Sequence, residues 1–134
     1  MRRGLAALIW LLAARSAAAF DAPTNYALHC QGCHLADGTG TPGKVPALAG
    51  ALGPFLRVDG GRAFLARVPG VANAPIDDAE LATLLNWTLA RFDAAALPGD
   101  FAPYTAEEVG RLRAQPLVDV TAERTRLLAA EQPN

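Results

Sequence analysis

The chain has 134 residues, 51% of them apolar, and a formal charge of −1, which gives room for one compact domain and a short extension. Without a basic excess it is unsuited to nucleic acid or to an anionic membrane surface. Two cysteines three positions apart leave none for a disulfide framework.

At the N-terminus, Met1-Arg2-Arg3 precedes an apolar run from Gly4 to Ala14 and then Arg15-Ser16-Ala17-Ala18-Ala19. A basic start, a short apolar core and small residues before a cut describe a secretory signal peptide over residues 1–19, cleaved after Ala19. The run is too short to span a bilayer comfortably, since a membrane helix needs about twenty mostly apolar residues and Arg15 interrupts this one. An uncleaved anchor is the alternative. Loss of Arg2, Arg3 and Arg15 leaves nine basic residues against thirteen acidic, so the exported chain is acidic.

Asp21 and Pro23 predict the start of a short helix running to Cys30, with Asp21 as cap and Pro23 in the first turn. Tyr26 is expected to face inward with Leu28 or Ala27. The helix leads into Cys30-Gln31-Gly32-Cys33-His34. Two thiols at this spacing, followed at once by an imidazole, are what covalent haem attachment requires: each sulfur adds to one vinyl group and the histidine reaches the iron. A dithiol redox site uses the same cysteine spacing but normally follows a strand in a βαβ unit, and strand patterns are scarce here. Structural zinc needs four ligands, and Cys30, Cys33, His34 and His29 are crowded into one turn. An exported chain with no disulfide must hold its fold by other means, and a tethered haem supplies a large apolar centre.

Residues 35–50 contain four glycines and two prolines, a composition that excludes a regular helix and predicts a tightly turning loop. A short helix is predicted over residues 60–68, with Phe64, Leu65 and Val68 on one side and Pro69-Gly70 as its stop. Asp77-Asp78-Ala79-Glu80 is a capping signature. It opens the clearest helix of the chain, whose apolar face is Leu81, Leu84, Leu85, Leu89 and Phe92. Thr88 falls on that face and is expected to bond back one turn, while Trp87 lies at its flank, over the junction with the first helix or at the exposed edge of the domain.

Tyr26, Cys30, Cys33, His34, Asp37-Gly38, Gly40, Pro46, Leu48 and Gly50 resemble the opening half of a small monohaem class I cytochrome c. The resemblance runs to about Ala96. It implies an all-α, cytochrome c-like haem domain over residues 20–97, one covalent haem c, and a closing helix that crosses the first. It also implies that Pro46 lends its carbonyl to the free ring nitrogen of His34, where a simpler reading has Pro46 only stiffening the loop. The family supplies a distal methionine before the closing helix, at about Ala74. This chain's one methionine is Met1, which leaves with the leader. His29, Lys44, or a water held by Asn73 are the substitutes, against an open or water-filled sixth position.

Leu97-Pro98-Gly99-Asp100 marks a boundary, and residues 98–134 read as a partly mobile helical extension. Thr105-Ala106-Glu107-Glu108 is a second capping box, for a helix that carries Val109 and Leu112 inward, and Thr121 is the expected cap of a last charged helix with Leu127 and Leu128. Phe101, Tyr104, Val109 and Leu117 are the residues that would pack the extension on the haem domain, leaving a frayed end. The function expected is a periplasmic electron carrier exchanging single electrons with a periplasmic redox protein or dehydrogenase, with no membrane span once the leader is cut. The alternatives are a ligand-binding or sensor module, a peroxidase-like enzyme, and a haem subunit of a larger redox complex.

Overall fold

A computed structural model describes residues 19–131, so all of the leader but Ala19 lies outside the described residues. Those residues form eight helices: α1 (Ala22–His29), α2 (Gln31–His34), α3 (Gly53–Leu56), α4 (Gly61–Arg67), α5 (Pro69–Ala72), α6 (Asp78–Asp93), α7 (Ala106–Arg113) and α8 (Val120–Glu131), with a 3-10 turn at Ala94–Ala96. Extended pairing among them is limited to one bridge, Thr41 to Val45, and the fold is all-α. No described helix is long and apolar enough to cross a membrane.

Helix α1 starts as its sequence dictates. The Asp21 carboxylate accepts from the Thr24 amide at 2.9 Å and Pro23 sits in the first turn, where its missing N–H costs nothing. Its inner face differs from the expected one: Ala22, Asn25 and Tyr26 are buried, whereas Leu28 is 60% exposed. The spacing 22, 25, 26 is one helical stripe, and Leu28 falls outside it.

Helix α6 has both halves of its capping box, Asp77 accepting from the Glu80 amide at 2.8 Å and Glu80 reaching back to the Asp77 amide. It buries Leu81, Ala82, Leu84, Leu85 and Leu89. Where it crosses α1, Tyr26 meets the rings of Phe92 and Trp87 at centroid distances of 5.0 and 5.4 Å, within the range where aromatic pairs attract. Trp87 thus covers the helix junction.

Two one-turn helices escape a sequence reading. Pro69 starts α5 instead of only ending α4. Helix α3 owes its start to a residue 40 positions away: Asp93, at the end of α6, accepts from the amides of Leu52 and Gly53 at 2.8 and 2.7 Å. Helices α3 and α4 then pack through Phe55 and Phe64, whose rings stack at 4.9 Å. A Cβ at Gly61 would strike the Phe55 carbonyl, so only glycine permits this approach.

The extension is packed further along its length than its composition suggests. Tyr104 is buried, its amide and carbonyl exchanging hydrogen bonds with Asn86 at 2.8 and 2.9 Å and its hydroxyl donating to the Arg62 carbonyl at 2.7 Å. Val109 and Leu127 are fully buried, so α8 is held as well as α7, through the cluster of Phe55, Phe64 and Leu127. Thr105 caps α7 as expected, accepting from the Glu108 amide. Glu108, however, turns its carboxylate to Arg62 at 2.6 and 2.7 Å instead of closing the box. Nor does Thr121 cap α8: Asp119, two residues earlier, accepts from the Ala122 amide at 2.9 Å.

Arg113 ties the extension to the loop before α6. Its guanidinium donates to the carbonyls of Ala72 at 3.0 Å, Ile76 at 2.8 Å and Ala74, and to the Asp78 carboxylate at 3.1 Å. The side chain is only 16% exposed, so its removal leaves buried acceptors unpaired. Arg113→Ala is expected to lower the unfolding free energy of the protein by about 3 kcal/mol, measured by denaturant titration. Arg113→Lys should recover only part, because one ammonium cannot span four acceptors that a planar guanidinium reaches together.

Candidate haem site

The helices enclose a cavity of about 400 Å3. Its lining is largely apolar, which suits a bound group with a large apolar surface.

Cys30, Cys33, His34 and Pro46 all line this cavity. One turn of α2 brings the first three together, the Cys30 carbonyl accepting from the amides of Cys33 and His34 at 3.1 and 2.9 Å. Leu35 ends the turn at φ +64°, a conformation costly for a side chain with a Cβ. Tyr26 stabilises it, its hydroxyl donating to the Leu35 carbonyl at 2.7 Å. Tyr26 therefore both packs α1 on α6 and shapes the start of the loop.

The His34 Nδ1 and the Pro46 carbonyl oxygen are 3.1 Å apart. A carbonyl can only accept, so Nδ1 carries the proton and Nε2 keeps a free lone pair. Burial pushes the imidazole below its usual pKa, opposed in part by the bond to Pro46, and this favours the neutral form that binds iron. The carbonyl is in reach because the loop folds over the attachment segment, the Gly40 amide donating to the His34 carbonyl at 3.0 Å. Gly40 has φ +66°, and a Cβ there would collide with the carbonyls of Val45 and Pro46.

The cysteine chemistry separates the alternatives. Burial, then the neighbouring Cys33, pushes the Cys30 thiol above its ordinary pKa, whereas redox-active dithiols are recognised by a lowered one. No disulfide joins the pair. Among the described residues, no group of three or more His, Cys, Asp or Glu side chains is arranged to hold a metal ion directly.

The rest of the wall is apolar, mostly leucines of α6 and residues of α4 and α5. Thr88 lines the cavity; the back-bonding expected of it is found at Thr83, which donates to the Ala79 carbonyl at 2.9 Å. His29 and Ala74 line the cavity, but Lys44 and Asn73 are exposed and stand away from it.

Val120 and Arg124 of α8 also reach the cavity, and sequence reasoning missed both. Their spacing of four marks one helix face, but nothing local tells where that face points. Of the half-buried arginines, Arg62, Arg67 and Arg113 each donate to protein acceptors. Arg124 has no such bond among the described residues. It lies 5.9 Å from the Phe55 ring centre, the one cationic side chain in the lining. A flat apolar group with two thiol-reactive edges and anionic tails fits this lining in size and chemistry.

Comparison with known proteins decides the family. No family model matches the chain. A cytochrome c-552 of Thermus thermophilus is 36% identical to it over 147 aligned residues, covering 95% of this chain and 98% of the relative. The chain belongs to the c-type cytochromes. A second cytochrome c-552 of Thermus thermophilus is 36% identical over 118 residues, or 73% of this chain and 90% of that one. This cytochrome carries covalently bound haem c with its iron. With 95% of the chain aligned, the likeness extends past Ala96 into the C-terminal extension, further than the motif residues alone suggest.

Gly40→Ala, by displacing the Val45 and Pro46 carbonyls, should release His34 from its fixed tautomer and shift the Soret and charge-transfer bands of the cytochrome. The same substitution at Gly99, where an added Cβ meets nothing within 4 Å and which lies outside the cavity lining, should leave those bands unchanged.

Proposed function

We propose that this protein is a periplasmic monohaem cytochrome of the class I type, exported by the leader that ends at Ala19 and passing single electrons to or from a redox enzyme of that compartment. The observation that carries the reading is the pairing of His34 Nδ1 with the Pro46 carbonyl beside Cys30 and Cys33 in one apolar cavity. In this reading residues 20–97 are the haem domain and residues 98–134 the extension that closes it.

Each thiol adds its sulfur and its hydrogen across one vinyl group, so attachment needs no oxidant. Cys30 and Cys33 hold the haem by two thioethers, and His34 presents Nε2 to the iron while Pro46 keeps the proton on Nδ1. The haem supplies an iron that cycles between ferric and ferrous states. The protein orients it, excludes water with the leucines of α6 and sets the potential through nearby charge. With Met1 removed, no methionine would remain to bind the iron, and the potential would be lower for it.

Arg124 is assigned to the haem propionates, the anionic groups that an otherwise unpaired cation in this lining would meet. A positive charge near the iron favours the ferrous state.

Two experiments test the assignment. Cys30→Ala with Cys33→Ala, expressed with competent maturation machinery, should yield chain of polypeptide mass alone with no haem surviving denaturation. Retention of covalent haem would overturn the attachment proposed here. Arg124→Gln should lower the midpoint potential by about 40 mV, or roughly 1 kcal/mol, the scale of one charge acting through a partly solvated path. An unchanged potential would remove Arg124 from the site.

A further inference from the structure

We propose that this chain provides no sixth ligand to its haem iron, and that the position binds small uncharged diatomic molecules, carbon monoxide and nitric oxide among them, in preference to anions. The inference rests on the haem reading above and adds a ligand-binding site to electron transfer.

The lining carries the argument. Beyond the attachment segment it has three polar side chains, His29, Thr88 and Arg124. A guanidinium has no lone pair to offer and a neutral hydroxyl is a poor haem ligand, which leaves His29. The segment before α6, where the family's methionine would stand, is Val68–Ile76 and contains no sulfur. Ala74 is buried at 7% exposure and faces the cavity with a methyl group. Asn73, in the same segment, is exposed and outside the lining.

Backbone oxygens are withdrawn as well. The carbonyls of Ala72, Ala74 and Ile76 all accept from Arg113, which holds this wall in place and turns those oxygens toward the extension. His29 is the remaining imidazole. It ends α1, which the bond from the Cys30 amide to the Tyr26 carbonyl closes at 2.9 Å, and the next residue is itself a point of attachment. His29 is thus tied to the segment that already supplies His34.

An apolar surround also selects among ligands. Moving an anion into it is costly: of the donors in the lining, Arg124 is assigned to the propionates and Thr88 offers one neutral hydroxyl. The polarity of the surround governs which small molecules a haem binds. Carbon monoxide brings a lone pair and no charge; its binding consumes no electron and releases nothing.

The test uses the full holoprotein, with its mass recorded to report both leader removal and covalent haem, and carbon monoxide as the probe. The reduced protein should be high-spin and five-coordinate. Carbon monoxide should convert all of it to a low-spin form at a rate linear in gas concentration, because no protein group has to leave first. Cyanide, at the concentration of carbon monoxide that half-fills the ferrous protein, should occupy fewer than one ferric site in ten. Ala74→Met, or Val71→Met if the first does not fold, should make the iron low-spin and slow carbon monoxide binding at least tenfold.

A low-spin reduced protein indifferent to carbon monoxide would overturn the proposal, as would a saturating rate that becomes linear only in His29→Ala. Both results leave the haem reading standing. Cyanide binding as strong as carbon monoxide binding would overturn the selectivity. A preparation whose mass shows no haem would overturn the haem reading and this inference together.

Discussion

The hydrogen bond between His34 and the Pro46 carbonyl is a local contact with long consequences. It requires the chain to reverse over the attachment turn within 12 residues, and Gly40 makes the reversal possible because a Cβ there would collide with the Val45 and Pro46 carbonyls. The same bond decides which ring nitrogen is free, and therefore which edge of the imidazole is able to bind a metal. Tyr26 supports the arrangement from beneath through the Leu35 carbonyl, so the crossing of α1 with α6 and the orientation of His34 are parts of one construction.

Around that point the helices are short. Helices α2, α3 and α5 have four residues each, far below what is stable in water alone, so each depends on a partner distant in sequence. Asp93 starts α3, Arg113 secures the segment after α5, and Arg67 accepts the Leu117 amide on its carbonyl while donating to Gln115. The extension is therefore structural. It supplies fully buried side chains at Val109 and Leu127 and two residues of the cavity wall.

This arrangement ties folding to the cofactor. The apolar residues that would form a small domain's core are spread over the surface of a 400 Å3 cavity, and the haem adds its own apolar area to theirs. A group bound only by the folded chain stabilises that chain, and covalent attachment prevents its loss. One set of contacts thus serves the fold and the redox centre.

Much of this was legible in the residues themselves. The Cys30 to His34 spacing points to covalent haem because thioether formation and iron ligation would need those groups in one turn, and the caps at Asp21 and Asp77 are local hydrogen bonds with fixed sequence offsets. The apolar stripe of α6 is a matter of periodicity. Other features depended on tertiary structure because their partners lie far along the chain. Glu108 abandons its own helix cap for Arg62, 46 residues away, a choice that only the docking of α7 decides. Leu127 and Arg124 occupy an unremarkable charged helix until α8 packs against α3 and α4, which turns one into core and the other toward the haem cavity. Short-range rules describe single elements; the placement of a charged side chain in a cavity wall is settled by which surfaces meet.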